Sequence, residues 1–351
     1  MRTTIKIDDD LMQRAMKASG LSTKRVAALL FAVALLTCLG WIAESWAQAK
    51  IARVGMLVAP FKSPGETVVT PNISAFRNTL AQNGWTEREN VSFEERSAGG
   101  TPPRFSDAAA ELVRLNVDII YANSAPATRA AFAATRTIPI VAMDFTNDPV
   151  AEGYAKSYSH PGGNLTGVFL DAPSFAAKWL ELLKAIVPRL SRVAVLWDPS
   201  PGATHLKAVQ DTARSLGIQT QVLEVREPND IDHAFSALRP GTQALIILPS
   251  QILFFESARI AELALKYRLP ATSMTDTFAK AGGLLSYGPE IAEAWERCAV
   301  LVAKILRGAN PGDLPIERPT RLPLVINLRT AKALGLRVPD SVLVRADNVI
   351  R

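Results

Sequence analysis

The sequence predicts an α/β chain of two lobes, each built on a parallel sheet, and three observations carry that prediction. Short apolar runs end in small polar, turn-forming loops, most fully at 138–149 (IPIVAMDFTNDP). Between the runs lie stretches whose apolar residues recur at helical spacing. The alternation occurs twice, on either side of a glycine-rich stretch at 161–167. Continuous apolar runs suit strands buried on both faces, as in parallel sheets joined by right-handed helical crossovers. In open sheets of this kind ligands bind just outside the carboxyl ends of the strands.

The elements follow in order. Residues 51–58 are an apolar strand, and 59–65 (APFKSPG) a loop of turn formers. Phe76, Leu80 and Ala81 mark a helix over 73–84 that stops at Asn83 and Gly84. A strand at 91–96, a helix at 104–115, a strand at 117–122 and a helix at 127–134 lead to the run at 138–141. The glycines of 161–167 suit a crossing between lobes. The second series comprises helix 174–186, strand 193–197, helix 203–216, strand 219–225, helix 231–238, strand 244–248, helix 255–267 and strand 270–274. The chain then reads as returning to the first lobe through a strand and turn at 281–289 and a long helix at 291–308. Pro311, Pro315, Pro319 and Pro323 make an extended linker before strand 324–327 and helix 328–334. Two such series describe two Rossmann-like lobes with a cleft between them. The expected lobes are 50–165 with 281–309, and 166–280 with 310–351.

A chain of 351 residues, 48% of them hydrophobic, can bury about two domains. The net charge of +6 is spread along it without a block of five Lys or Arg, so no nucleic acid partner is expected. Cys38 and Cys298 make no disulfide framework, and Cys298 on its helix reads as a small buried hydrophobe. His160, His205 and His233 do not cluster, and no G-x-S-x-G, G-x-G-x-x-G or P-loop is present. No enzyme chemistry, metal or cofactor is therefore expected.

At the N-terminus, Lys24 and Arg25 precede a long apolar run and a small-x-small ending at Ala47 and Ala49. This pattern over 26–49 describes a secretory signal peptide cleaved after Ala49. An uncleaved anchor and lipidation at Cys38 are the alternatives, and Thr37 before that cysteine disfavours the second. Residues 1–25, with alternating Thr3, Ile5 and Ile7, resemble the opening of ribbon-helix-helix antitoxins. The second helix of that fold is replaced here by the apolar run, so the segment reads as a fused fragment or a start placed too early.

Several stretches carry a wider resemblance: 110–118 (AELVRLNVD), 138–141 with Asp148 and Pro149, 160–167 (HPGGNLTG), 190–197 (LSRVAVLW), 281–288 (AGGLLSYG) and 324–335 (LVINLRTAKALG). Together, in this order, they resemble the ABC-transporter substrate-binding family that includes tryptophan/tyrosine transport binding proteins. The resemblance implies a type I periplasmic binding protein fold: two lobes, a three-segment hinge and ligand in the hinge cleft. It names no ligand; with the signal peptide, the expectation is a periplasmic protein, a monomer, that partners a membrane permease.

The expected site lies on the loops after the strands. Phe61 stands on the first loop. Ser124, Ala125 and Thr128 open a helix, where hydroxyls and free N–H groups can hold a carboxylate. Asp144 and Asp198 are candidates for an ammonium group, with Thr146, Ser200, Ser250 and Asp276 on the neighbouring loops. Asp148, before Pro149, reads first as a turn residue. Phe145 and Tyr287 could wall the cleft; Trp197 reads as core. The leading function is an extracytoplasmic solute-binding protein of an ABC importer for a small polar, amino-acid-like or aromatic ligand. The alternative, a ligand-sensing regulator on the same fold, needs a complete DNA-binding domain.

Overall fold

A computed structural model describes Asp10, Gln13, Arg14, Lys17 and Ala18, then residues 51–58, 71–97, 102–170 and 172–351. Two compact units are present, Met1–Lys50 and Ile51–Arg351. In the first, the five described residues are helical and exposed. The signal-like run, Cys38, the antitoxin-like strand and Phe61 lie outside the described residues.

The second unit holds two sheets. The first has the order β2-β1-β3-β4-β5, with β1 (Ala52–Val58), β2 (Val91–Ser97), β3 (Ile119–Asn123), β4 (Ile140–Asp144) and β5 (Leu165–Phe169), all parallel. The second contains β6 (Arg192–Trp197), β7 (Gln219–Glu224), β8 (Ala244–Ile247), β9 (Ala271–Ser273), β10 (Leu285–Tyr287), β11 (Leu324–Asn327) and β12 (Asn348–Ile350). Its order is β12-β11-β10-β9-β8-β6-β7, parallel except where β11 meets β10. The helices are α1 (Pro71–Gln82), α2 (Pro102–Arg114), α3 (Ala125–Ala134), α4 (Ala172–Ile186), α5 (Thr204–Ser215), α6 (Asp230–Ser236), α7 (Gln251–Phe255), α8 (Ser257–Lys266), α9 (Asp276–Lys280), α10 (Ile291–Leu306), α11 (Leu328–Ala333) and α12 (Asp340–Leu343).

Successive strand side chains point to opposite faces, so each sheet feeds two cores. On one face of the first sheet Val54, Met56, Tyr121 and Val141 pack with Phe76 of α1 and Trp295 of α10. On the other, Leu57, Ile120 and Ala142 pack with Leu112 of α2 and Ala127 of α3. The second sheet divides likewise, Val193 and Val195 on one side, Ala194 and Leu196 on the other. The cluster containing Trp295 also contains Phe145, Phe175, Trp179 and Leu206, so one apolar core runs continuously through both lobes.

The strand pairing moves the expected lobe boundaries. The stretch read as a glycine-rich crossing leads into β5, a fully buried strand of the first sheet. Gly167 hid it: a Cβ there would lie 2.0 Å from Ala142 O, so β5 reaches β4 only over a glycine. The first crossing therefore comes after Phe169. Likewise β10, expected in the first lobe, pairs with β9 and β11 in the second. The second crossing follows it at Gly288, where a Cβ would stand 2.2 Å from Met274 O, and the chain re-enters the first lobe as α10. The proline-rich linker first lies along β5, with Glu317 N donating to Gly167 O (2.8 Å) and Phe169 N to Glu317 O (3.0 Å). It then crosses to β11. Arg297 and Glu317 (2.6 Å) and Arg321 and Glu290 (2.8 Å) tie this third segment to α10 and its approach.

Candidate ligand-binding site

A cavity of about 870 Å³ opens at the carboxyl ends of strands from both sheets. Its wall is mainly apolar: Val58, Phe105, Met143, Phe145, Ile291 and Trp295 come from the first lobe, and Ile247, Leu253, Phe254 and Met274 from the second. A largely apolar pocket with a few convergent polar groups is the usual form of a small-molecule site.

The polar groups come in two similar pieces. At the end of β4, Asp144 is fully buried. Its Oδ1 accepts from Thr146 N (2.8 Å), Thr146 Oγ1 (2.7 Å) and Asn147 N (3.3 Å), and its Oδ2 from Asn147 Nδ2 (3.0 Å). Burial pushes its carboxyl above the ordinary range, and these four donors offset part of the rise. Just past β6, Asp198 is 3% exposed. Its Oδ1 accepts from Ser200 N (2.8 Å), and its Oδ2 from Ser200 Oγ (2.9 Å) and Ser250 Oγ (2.8 Å). Among the described residues neither carboxylate has a Lys, Arg or His nitrogen within 4.0 Å. Two buried carboxylates thus face one cavity from opposite lobes, held by neutral donors alone.

Ser124 caps α3, its Oγ accepting from Ala127 N (3.3 Å), with Pro126 in the first turn where no N–H is needed. Its backbone sits at φ 148, ψ 166, a region that side chains avoid and that costs about 1–3 kcal/mol. Strain of that kind is concentrated at functional sites. In the second lobe Ser250 caps α7 through Leu253 N (3.2 Å) while its hydroxyl hydrogen goes to Asp198.

Seven expected residues line the cavity together: Ser124, Ala125, Asp144, Thr146, Asp198, Ser200 and Ser250. Three do not reach its wall. Thr128 is buried in α3, its hydroxyl donating to Ser124 O (2.8 Å). Asp276 pairs with Lys280 one helical turn on. Tyr287 packs on Phe175 (5.6 Å), with Lys178 over its ring, and its backbone oxygen accepts from Trp179 Nε1 (2.8 Å). Asp148 closes a turn through Val150 N (2.7 Å) and Ala151 N (3.0 Å), the role that Pro149 after it suggests. Trp197 donates to Gly202 O (3.1 Å) within its own loop.

Lining residues that the sequence reading passed over include Trp295, Phe254, Phe255, Thr277 and Lys280. Ile291 and Trp295, four apart on α10, share one helical face, which marks them as buried without saying against what. The lobes also touch beside the cavity. His205 Nε2 donates to Phe145 O (2.7 Å), and Asn147 Nδ2 and Arg129 Nη2 each reach Pro201 O at 3.4 Å. His205 is stacked on Trp179 (5.8 Å, 28°), inside the core that joins the lobes.

Residues 69–350 match the family described as ABC transporter substrate binding protein. Residues 1–27 match a second family, the bacterial antitoxin VapB of a type II toxin–antitoxin system. A tyrosine-binding protein of Clostridioides difficile is 25% identical over 264 residues, 75% of this chain and 76% of that one. A conserved domain protein from Vibrio cholerae superposes with a TM-score of 0.76 at 25% identity, covering 86% of this chain and all of the other. An ABC domain from Streptococcus pneumoniae, solved in complex with L-Trp, shares the fold with a TM-score of 0.74 at 21% identity, over 85% and 99% of the two chains.

Proposed function

The chain belongs to the ABC transporter substrate-binding protein family, and we propose that its ligand is an aromatic amino acid held in the cleft between the two lobes. The observation that carries this reading is the pair of buried carboxylates, Asp144 and Asp198, facing one apolar, aromatic-walled cavity from opposite sides without a cationic partner among the described residues. A buried charge is tolerated when an opposite charge meets it, and a ligand ammonium supplies that charge. The wall of Phe105, Phe145, Phe254 and Trp295 suits an aromatic side chain. With Ala127 N taken by Ser124 Oγ and Thr128 N by Ser124 O, the start of α3 offers the ligand carboxylate Ala125 N, the Ser124 hydroxyl and the positive end of a helix dipole. Lys280, on the opposite wall, is paired with Asp276 and lies within the cavity lining.

Binding closes the lobes about the three crossings, and a membrane permease reads the closed form. The mature protein is periplasmic, a monomer, released by cleavage after Ala49. The relatives that bind tyrosine and L-Trp support the ligand class, and the apolar run before Ala47 supports export.

Thermal shift and tryptophan fluorescence against a panel of amino acids and other small metabolites test the ligand. A shift confined to aromatic amino acids is expected, and no shift with any of them would overturn the reading. N-terminal sequencing of the exported protein should begin at Lys50; a start upstream of Gly40 contradicts cleavage.

A further inference from the structure

The loop that carries Asp144 also carries the contact between lobes. Asn147 is 2% exposed, and its side-chain amide has two hydrogens fixed in one plane. Nδ2 lies 3.0 Å from Asp144 Oδ2 in its own lobe and 3.4 Å from Pro201 O in the other. Orienting one hydrogen on the carboxylate aims the second at the opposing carbonyl. Between these two residues, Phe145 O accepts the His205 Nε2 hydrogen at 2.7 Å, again across the lobes. The approach is close on the far side too: a Cβ on Gly202 would stand 3.4 Å from Asn147 Oδ1. Among the described residues the second lobe's equivalent carboxylate has no such link. Asp198 is held by Ser200 and Ser250, both of its own lobe.

We propose that Asn147 is a closure-positioning residue, which couples occupation of Asp144 by ligand to docking of the turn at 199–202 on the first lobe. The inference rests on the reading of Asp144 as a ligand-binding carboxylate in a closing cleft. A residue that stabilises the closed form raises ligand affinity by up to the same factor, reached when the free protein is mainly open. Arg129 provides an internal contrast. It reaches the same carbonyl of Pro201 from an exposed position on α3 and makes no hydrogen bond to Asp144. Arg129 meets the Asp144 carboxylate only indirectly, through Tyr154, whose hydroxyl both groups influence, so its part in closure should depend on the ligand less than that of Asn147.

The test is a mutant cycle on the full chain, with L-tyrosine and L-tryptophan as probes. One fluorophore on each lobe reports closure, and calorimetry reports affinity. Asn147→Ala is expected to lower the closed fraction at saturating probe and to weaken binding about two- to tenfold, the size of the one neutral hydrogen bond it makes across the lobes. In an Asp144→Asn background the same change should cost less than about twofold, since coupled neighbours are not additive. Arg129→Ala, linked to Asp144 only through Tyr154, should cost more nearly the same factor in the two backgrounds than Asn147→Ala does. Asn147→Ser keeps a hydroxyl but not two fixed donors, and should reproduce the loss if the alanine variant folds poorly. Wild-type protein that binds and closes while both Asn147 variants match it overturns the inference alone, as do Asn147 and Asp144 losses that simply multiply. Wild-type protein that binds neither probe, or binds without closing, overturns the reading of the cleft and this inference with it.

Discussion

The two lobes meet the cavity with the same short device and then differ in what supports it. At the end of β4 the sequence is Asp144, Phe145, Thr146; past β6 it is Asp198, Pro199, Ser200. In both, the aspartate accepts the backbone N–H and the hydroxyl of the residue two positions on. The third support separates them. Asp198 draws a hydroxyl from Ser250, 52 residues away, and so pins two loops of one lobe together. Asp144 draws its last donor from Asn147, which also faces the other lobe. One carboxylate is thus tied within its own lobe and the other at the contact between lobes.

Substitutions can break this contrast, and the largest effect belongs to the side tied within its own lobe. Asp198→Ala strands three donors and removes a ligand charge; calorimetry and thermal melting should show binding weakened about 100-fold and stability lower by about 1–3 kcal/mol. Asp144→Asn should weaken binding about 10- to 100-fold with a smaller stability change, because its supports are local. It should also abolish a pH dependence. Burial holds the free Asp144 carboxyl above its ordinary range, and a bound ammonium stabilises the ionised form and draws that pKa down. Affinity in the wild type is therefore full above the raised free-protein pKa. It falls by up to about tenfold per pH unit as acid protonates the site below that value. Calorimetry from neutral pH downward checks this, and an unchanged affinity would contradict it.

Smaller effects sharpen the contrast at its edges. Ser124→Gly relieves the strained backbone at a cap position where glycine is nearly as good, and should stabilise the protein by about 1 kcal/mol. If the hydroxyl meets the ligand, binding weakens at the same time. Tyr287→Phe should change affinity by less than about twofold, because the ring packs on Phe175 and stands off the cavity wall.

Much of this was legible in the sequence. The apolar runs ending in Asp, Asn and Ser fixed both sheets' strand ends, and those ends are where seven of the expected residues gather. What stayed hidden has physical causes. Gly167 broke the apolar pattern of β5 because the neighbouring strand leaves no room for a Cβ, so a core strand read as a turn. The three-residue β10 carries no marker of the lobe to which it belongs, since pairing with β9 is set by contacts remote in sequence. Trp295 and Phe254 sit within helical patterns, where periodicity reports burial but not whether the neighbour is core or cavity. Tyr287 looked available at a strand end, but its ring is taken by Phe175.

In the proposed complex a ligand ammonium meets two carboxylates across an aromatic cleft. Titration calorimetry of the full chain with L-tyrosine and L-tryptophan, set beside their deaminated propionates, tests that directly. The amino acids should bind, and loss of the ammonium should weaken binding by about 100-fold or more. Equal affinity for the deaminated acids, or no binding of either amino acid, would contradict it.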